Sequence, residues 1–265
     1  MTEQDQRLPE INASTPHPAR MYDYFLGGKD NFPADRKAAE AILTTAPEAR
    51  DLARQNRAFL QRAVRFLAGE AGIRQFLDIG TGIPTQGNVH EIAHAVAPDA
   101  RVVYVDIDPI VLTHGRALLA SPNTTIVLGD LREPAAILAD AEVRRMIDFD
   151  QPVAVLLVAI LHFVRDEEGP AEIAARLRDA MAPGSYLTIS HGTADFQPEH
   201  EATTTVVRTY DRATSQLSLR SHAEIARFFD GFELVEPGLV PVSMWRPDSD
   251  IPEGQGVYAG VGRKP

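Results

Sequence analysis

The stretch FLDIGTGIPTQGN, residues 76–88, decides how the rest of the chain is read. An apolar run closes on Asp78, a glycine-rich bend follows, and a helix is expected to start near Gly87. Gly80 and Gly82 free the backbone for dihedrals closed to other residues and for close approach to a ligand. The helix behind the bend offers unpaired N–H groups at its first turn. GTGIPT lacks the third glycine of the G-x-G-x-x-G dinucleotide fingerprint, which argues against a nicotinamide cofactor.

Working outward, short apolar runs alternate with helical segments. Strands are expected at residues 75–79, 102–105, 125–128, 153–158 and 186–190, with closing strands at 232–235 and 257–261. Helices are expected at residues 89–97, 110–120, 132–147, 168–181 and 199–212, and from the Ser221-His-Ala-Glu224 capping box onward. This alternation predicts an α/β fold with a mostly parallel, seven-stranded sheet flanked by helices. The run VAVLLVAIL is nearly all apolar, as a central strand covered on both faces should be. The second strand ends in VDIDP at Asp106 and the third in LGD at Asp130. Ligands in open α/β sheets bind beyond the carboxyl ends of the strands, so Asp78, Asp106 and Asp130 are expected on one rim. A carboxylate at the end of the second strand suits a pair of ribose hydroxyls.

Residues 1–16 read as a polar arm, residues 17–70 as a helical cap or lid, and residues 71–265 as the α/β domain. In the cap, Pro33 and Pro47 stand where helices can begin. The segment after Pro47 carries a broad apolar stripe, with its basic residues on the solvated face. The 265 residues include no cysteine, which excludes disulfides and thiol catalysis. A net charge of −11 argues against a general nucleic-acid binder. No apolar run approaches the ~20 residues that span a bilayer, and residues 1–14 are not a signal peptide. The expectation is a cytoplasmic protein without a membrane or nucleic-acid partner; its oligomeric state is left open.

The order strand-D-x-G-x-G, strand-acid, strand-G-D, apolar strand, strand resembles the class I S-adenosylmethionine methyltransferases, with their Rossmann-like fold, from about residue 75 to the C-terminus. The signature RMYDYFLGGKDNFPADR, residues 20–36, followed by NRAFLQRAVRFLA, resembles a narrower group: the actinobacterial S-adenosyl methyltransferase family, formerly a domain of unknown function. The resemblance implies S-adenosyl-L-methionine as cofactor, S-adenosyl-L-homocysteine as product, and a methyl acceptor, for which a small molecule is expected. It implies that Asp78, Gly80 and Gly82 line the methionine part, that Asp106 holds the ribose with Ile107 beside the adenine, and that Asp130 and Leu131 meet the adenine edge. Pro84 replaces the third glycine of the general pattern, so the loop must take its own path there. In the lid reading of the signature, Tyr22, Lys29 and Asn31 are the polar contacts, with Lys29 facing the methionyl carboxylate.

His162, after the central strand, and His191, after the fifth, are candidate bases near the rim, since histidine titrates near neutrality. Each is equally readable as a loop histidine bonded to backbone. Two other functions stand beside the transferase: a cofactor-binding regulatory or assembly protein without turnover, and a zinc hydrolase. The latter would use HEIAH, residues 90–94, which matches H-E-x-x-H. The chain around that helix is unlike a zinc protease, and no metal ligand set is expected.

Overall fold

The computed structural model describes residues 12–84, 87–118, 121–196, 201–248 and 255–265. Five parallel strands form its centre: β1 (Gln75–Ile79), β2 (Arg101–Asp106), β3 (Thr124–Leu128), β4 (Ala154–Val158) and β5 (Tyr186–Gly192). β6 (Glu233–Leu234), β7 (Val240–Pro241) and β8 (Val257–Arg263) complete the sheet, with β8 antiparallel to β5. The order is β3-β2-β1-β4-β5-β8-β6, with β7 also on β8. The chain walks outward from β1 to β3 and then returns to β4 beside β1. The strand ends between β1 and β4 are therefore the switch point where such sheets bind ligands.

The period of two in each strand builds two cores. Phe76, Val102, Tyr104, Ala154 and Leu156 face one side, while Leu77, Ile79, Val103, Val105, Val155 and Leu157 face the other. The first face is covered by α3 (Ala49–Arg65), α4 (Val89–Val96) and α5 (Pro109–Leu118), and the second by α6 (Pro134–Ala139), α7 (Ala141–Met146), α8 (Pro170–Ala180) and α10 (His222–Ala226). A third, smaller core joins α1 (Pro18–Phe25) and α2 (Pro33–Thr45) to α9 (Glu201–Tyr210), through Met21, Phe25, Ala39, Ile42, Ala202 and Tyr210. The cap is thus assembled from both ends of the chain, and α3 belongs to the sheet's own core.

Several expectations are corrected in detail. The sheet has eight strands rather than seven, because the outer edge beside β8 is interrupted at Pro237–Gly238 and splits into β6 and β7. The helix expected over residues 132–147 is two helices. Asp140 caps the second, its Oδ1 accepting from the Glu142 and Val143 amides at 2.9 and 3.1 Å. Arg62 of α3 is buried, not solvated, and donates to the carbonyls of Trp245 (2.8 Å) and Val242 (2.9 Å). Pro33 opens α2 as expected, whereas Pro47 precedes α3 by two residues. Residues 1–11 of the expected arm, 119–120 of the helix expected over 110–120, and 199–200 of the helix expected over 199–212 lie outside the described residues. Among the described residues, no helix is long and apolar enough to cross a membrane.

Candidate active site

The carboxyl ends of β1 to β5 open into a cavity of about 680 Å³, roofed by α1, α2, α3 and α9. Strand periodicity sets what faces it. Asp78 follows Phe76 by two residues and Asp106 follows Tyr104 by two, so both carboxylates continue the face that lies under α3. Each is 5% exposed, and burial pushes each carboxyl up to about 6. Asp78 accepts from the Thr81 hydroxyl at 3.0 Å. Asp106 accepts the Gly82 and Asp108 amides, each at 2.8 Å, one on each oxygen. A carboxylate has about four lone-pair sites, so Asp106 retains capacity for a further donor beyond these and the neighbouring Ile107 amide.

The bend between these carboxylates depends on left-handed backbone at Gly80 (φ +76°) and Gly82 (φ +68°). A Cβ at Gly80 would come within 2.5 Å of Ile160, which closes the switch point from β4. Beyond Pro84 a positive φ returns at Gly87 (+75°), and the turn into α4 is made there. Residues 85–86, within this loop, lie outside the described residues. Asp130 lines the same cavity but is engaged by Arg132, whose Nη2 is 2.6 Å away. Burial raises the Asp130 carboxyl, yet the hydrogen bonds and charge of Arg132 outweigh it and hold it below the usual range. Ile107, 46% exposed, and Leu131 add apolar surface to the wall.

The cap residues divide. The Tyr22 ring lines the cavity, but its hydroxyl donates to the Ala53 carbonyl and accepts from Asn56 Nδ2, both at 3.0 Å. Asn56 in turn accepts from the Ser190 hydroxyl at 2.6 Å, and Ser190 Oγ accepts the Ala159 amide at 2.9 Å. This chain of bonds ties α1 and α3 to β5 and holds Ala159 at φ +57° on the cavity wall. Lys29 is exposed and does not line the cavity. Asn31 also lies off the wall. It donates to Asp23 (2.8 Å) and the Gly28 carbonyl (3.1 Å), and so builds the turn between α1 and α2. Arg20, from the same signature, is buried and pairs with Asp108 at 3.0 Å, fastening α1 to the end of β2.

Neither histidine presents a free lone pair to the cavity. His191 lies off the wall, with Nδ1 2.7 Å from the Gly192 carbonyl and Nε2 2.9 Å from Arg220 Nη1. Burial pushes it down to about 4. His162 lines the cavity, and burial holds it well below the usual histidine range. Its Nδ1 accepts the Gly192 amide at 3.1 Å, so the single proton of the neutral ring sits on Nε2. His162 therefore offers the cavity a donor, not a lone pair. In the HEIAH segment, Glu91 Oε2 caps α4 by accepting the Gly87 (2.7 Å) and Asn88 (2.8 Å) amides. His90 Nδ1 meets the Tyr104 hydroxyl and His94 Nε2 the Ala100 carbonyl, both at 2.8 Å. The general base that a zinc hydrolase requires is thus spent on capping.

Arg57 is the wall residue that sequence reasoning assigned to solvent. It lies beside Asp78, with Nη2 3.1 Å from Asn88 Oδ1. Asn56 and Arg57 sit on the polar flank of the α3 stripe, and it is the packing of α3 on the sheet that buries Asn56 and half-buries Arg57.

A model of the family described as S-adenosyl methyltransferase matches residues 4–265. A DUF574 family protein from Streptomyces avermitilis MA-4680 is 48% identical, with a TM-score of 0.92 over 97% of this chain and 100% of that one. A candidate methyltransferase from Thermobifida fusca YX is 46% identical, with a TM-score of 0.90 over 97% of each chain. Human N-acetylserotonin methyltransferase, solved with S-adenosylmethionine, has a TM-score of 0.51 at 13% identity, over 92% of this chain and 62% of that one, a likeness of fold alone. No curated protein matches the chain.

Proposed function

The chain belongs to the S-adenosyl methyltransferase family, and from that premise we propose that it transfers a methyl group to a small molecule held beneath the helical cap. The protein is an S-adenosylmethionine-dependent methyltransferase with the class I fold. The observation that carries the residue assignments is the buried carboxylate of Asp106, which faces the cavity with acceptor capacity left over and no cation of its own. Such a group fits the hydroxyls of a ribose, which would meet that remaining capacity.

In this reading Asp106 orients the ribose and Ile107 lies against the adenine. Asp130 and Leu131 meet the adenine edge, and Gly80 and Gly82 allow the backbone near the methionine part. Arg57 replaces Lys29 as the cation for the methionyl carboxylate, since it stands on the wall and Lys29 does not. The cofactor, when bound, supplies the methyl group already activated on sulfur. The chain's own work is then to align the acceptor and exclude water, for which no dedicated base is needed. A cavity of 680 Å³ falls in the range of about 300–1,000 Å³ typical of small-molecule sites. The cap does not fill the space beyond the strand ends, which favours turnover over a binding-only role.

Calorimetric titration with S-adenosylmethionine tests the assignment through Asp106→Ala. Each lost charge-assisted hydrogen bond, worth ~1.5–3 kcal/mol, should weaken binding about tenfold or more. Unchanged affinity in a folded variant would sink the ribose assignment.

A further inference from the structure

The half of the cavity away from the strand ends is walled by Phe25, Ile42, Phe163, Val206, Tyr210 and Leu217. The Phe163 and Tyr210 rings lie 5.4 Å apart. Charged lining residues sit elsewhere: Asp78, Asp106 and Asp130 at the strand ends, Arg57 and Arg132 beside them, and exposed Glu48 and Asp51 where α2 gives way to α3. Carboxylates outnumber guanidinium groups around the cavity, so an anionic guest meets a repulsive field. A cationic guest finds no carboxylate within the apolar half, and its charge would be buried unpaired.

Two polar side chains interrupt that half. His162 and Tyr210 are each 8% exposed. His162 Nδ1 is taken by the Gly192 amide, leaving an Nε2–H that has no partner among the described residues. The Tyr210 hydroxyl is likewise without a partner among the described residues, while burial raises its pKa and keeps it protonated. Both residues line the cavity, where an acceptor atom on a guest can meet these donors. Both groups donate, and both stand beside the Phe163 ring, at 4.4 Å (His162) and 5.4 Å (Tyr210) between centroids. An aromatic guest finds ring faces and edges here, and oxygen atoms on it would find donors.

Resting on the methyltransferase reading of this cavity, we propose that the acceptor is an uncharged hydroxylated aromatic molecule, its ring against Phe163 and its oxygens hydrogen-bonded to His162 Nε2–H and the Tyr210 hydroxyl. The sulfur–methyl bond of the donor breaks as a bond from a guest oxygen to that methyl forms, S-adenosylhomocysteine leaves, and the hydroxyl proton passes to solvent. The test uses 2-naphthol as probe, with 2-naphthalenesulfonate and 2-naphthylmethylammonium as charged analogues, titrated into the full chain saturated with S-adenosylhomocysteine. The expected result is saturable 2-naphthol binding, with both analogues at least about tenfold weaker. Tyr210→Phe removes only the hydroxyl. His162→Asn keeps an acceptor for the Gly192 amide, and its shorter side chain leaves no N–H at the Nε2 position. Each variant should weaken 2-naphthol about tenfold while leaving S-adenosylhomocysteine affinity unchanged. Equal binding of a charged analogue would overturn the proposal, as would unchanged 2-naphthol affinity in both variants; the cofactor assignment would survive either outcome. Failure of S-adenosylhomocysteine to bind at all would overturn the cofactor assignment and this proposal together.

Discussion

Asp78 and Asp106 show how burial tunes a carboxylate. Neither has a cation that fully offsets its desolvation, so both titrate near 6 in the free protein. In the proposed assignment ribose hydroxyls donate to the Asp106 carboxylate, so the cofactor would bind its ionised form. The sign follows: affinity is complete above about pH 7 and falls as pH drops through 6, by up to about tenfold per unit for each proton taken up. Titrations with S-adenosylmethionine at pH 7.5 and 5.0 should differ accordingly, and Asp106→Asn should flatten the slope. A flat wild-type profile would remove Asp106 from the cofactor's contacts. Beside Asp78, Arg57→Ala is expected to weaken S-adenosylmethionine about tenfold or more, through loss of a charge-assisted hydrogen bond of ~1.5–3 kcal/mol. Lys29→Ala, at an exposed position, should leave it unchanged. The reverse ranking would return Lys29 to the site.

At the scale of elements, α4 separates a motif from its chemistry. H-E-x-x-H on a helix can present two zinc ligands on one face, but here the glutamate sits at the third helical position and closes a capping box with Asn88. Glu91→Ala is expected to cost ~0.5–2 kcal/mol of stability, read from chemical denaturation, while methyl-donor binding stays intact. Treatment with a chelator should change neither quantity. Loss of function on chelation, without loss of fold, would bring the zinc reading back.

For the molecule as a whole, the cap is a satellite core made from sequence-distant helices. Met21 is fully buried within it, with α1, α2 and α9 around it. Met21→Ala is expected to cost ~2–5 kcal/mol locally. Hydrogen exchange should then accelerate in α1, α2 and α9 together, with β1, β2 and β4 unaffected, because those strands lie in the two sheet cores. Acceleration spread evenly over the sheet would mean that cap and sheet unfold as one unit. The buried Arg20–Asp108 pair joins the two bodies next to Asp106, whose Oδ1 also receives the Asp108 amide. Cap position and the Asp106 carboxylate therefore share one hydrogen-bonded unit.

The amino-acid sequence alone determined the alternation of strands and helices, the glycine bend, and the three acidic strand ends. These are local: hydrophobic period, glycine content and the residue that ends each strand are all written within a few positions. β1 begins and ends where the apolar run of residues 75–79 does. The tertiary structure decided which polar residues face the cavity. Lys29 and Asn31 share a sequence segment with Tyr22, yet the Asp23–Asn31 turn directs them away from it. Arg57 looks like surface charge until the sheet packs beneath α3. His162 becomes a donor only because the Gly192 amide, 30 residues along the chain, claims its other nitrogen. Side-chain direction and protonation depend on neighbours brought together by packing, and one-dimensional periodicity carries no record of them.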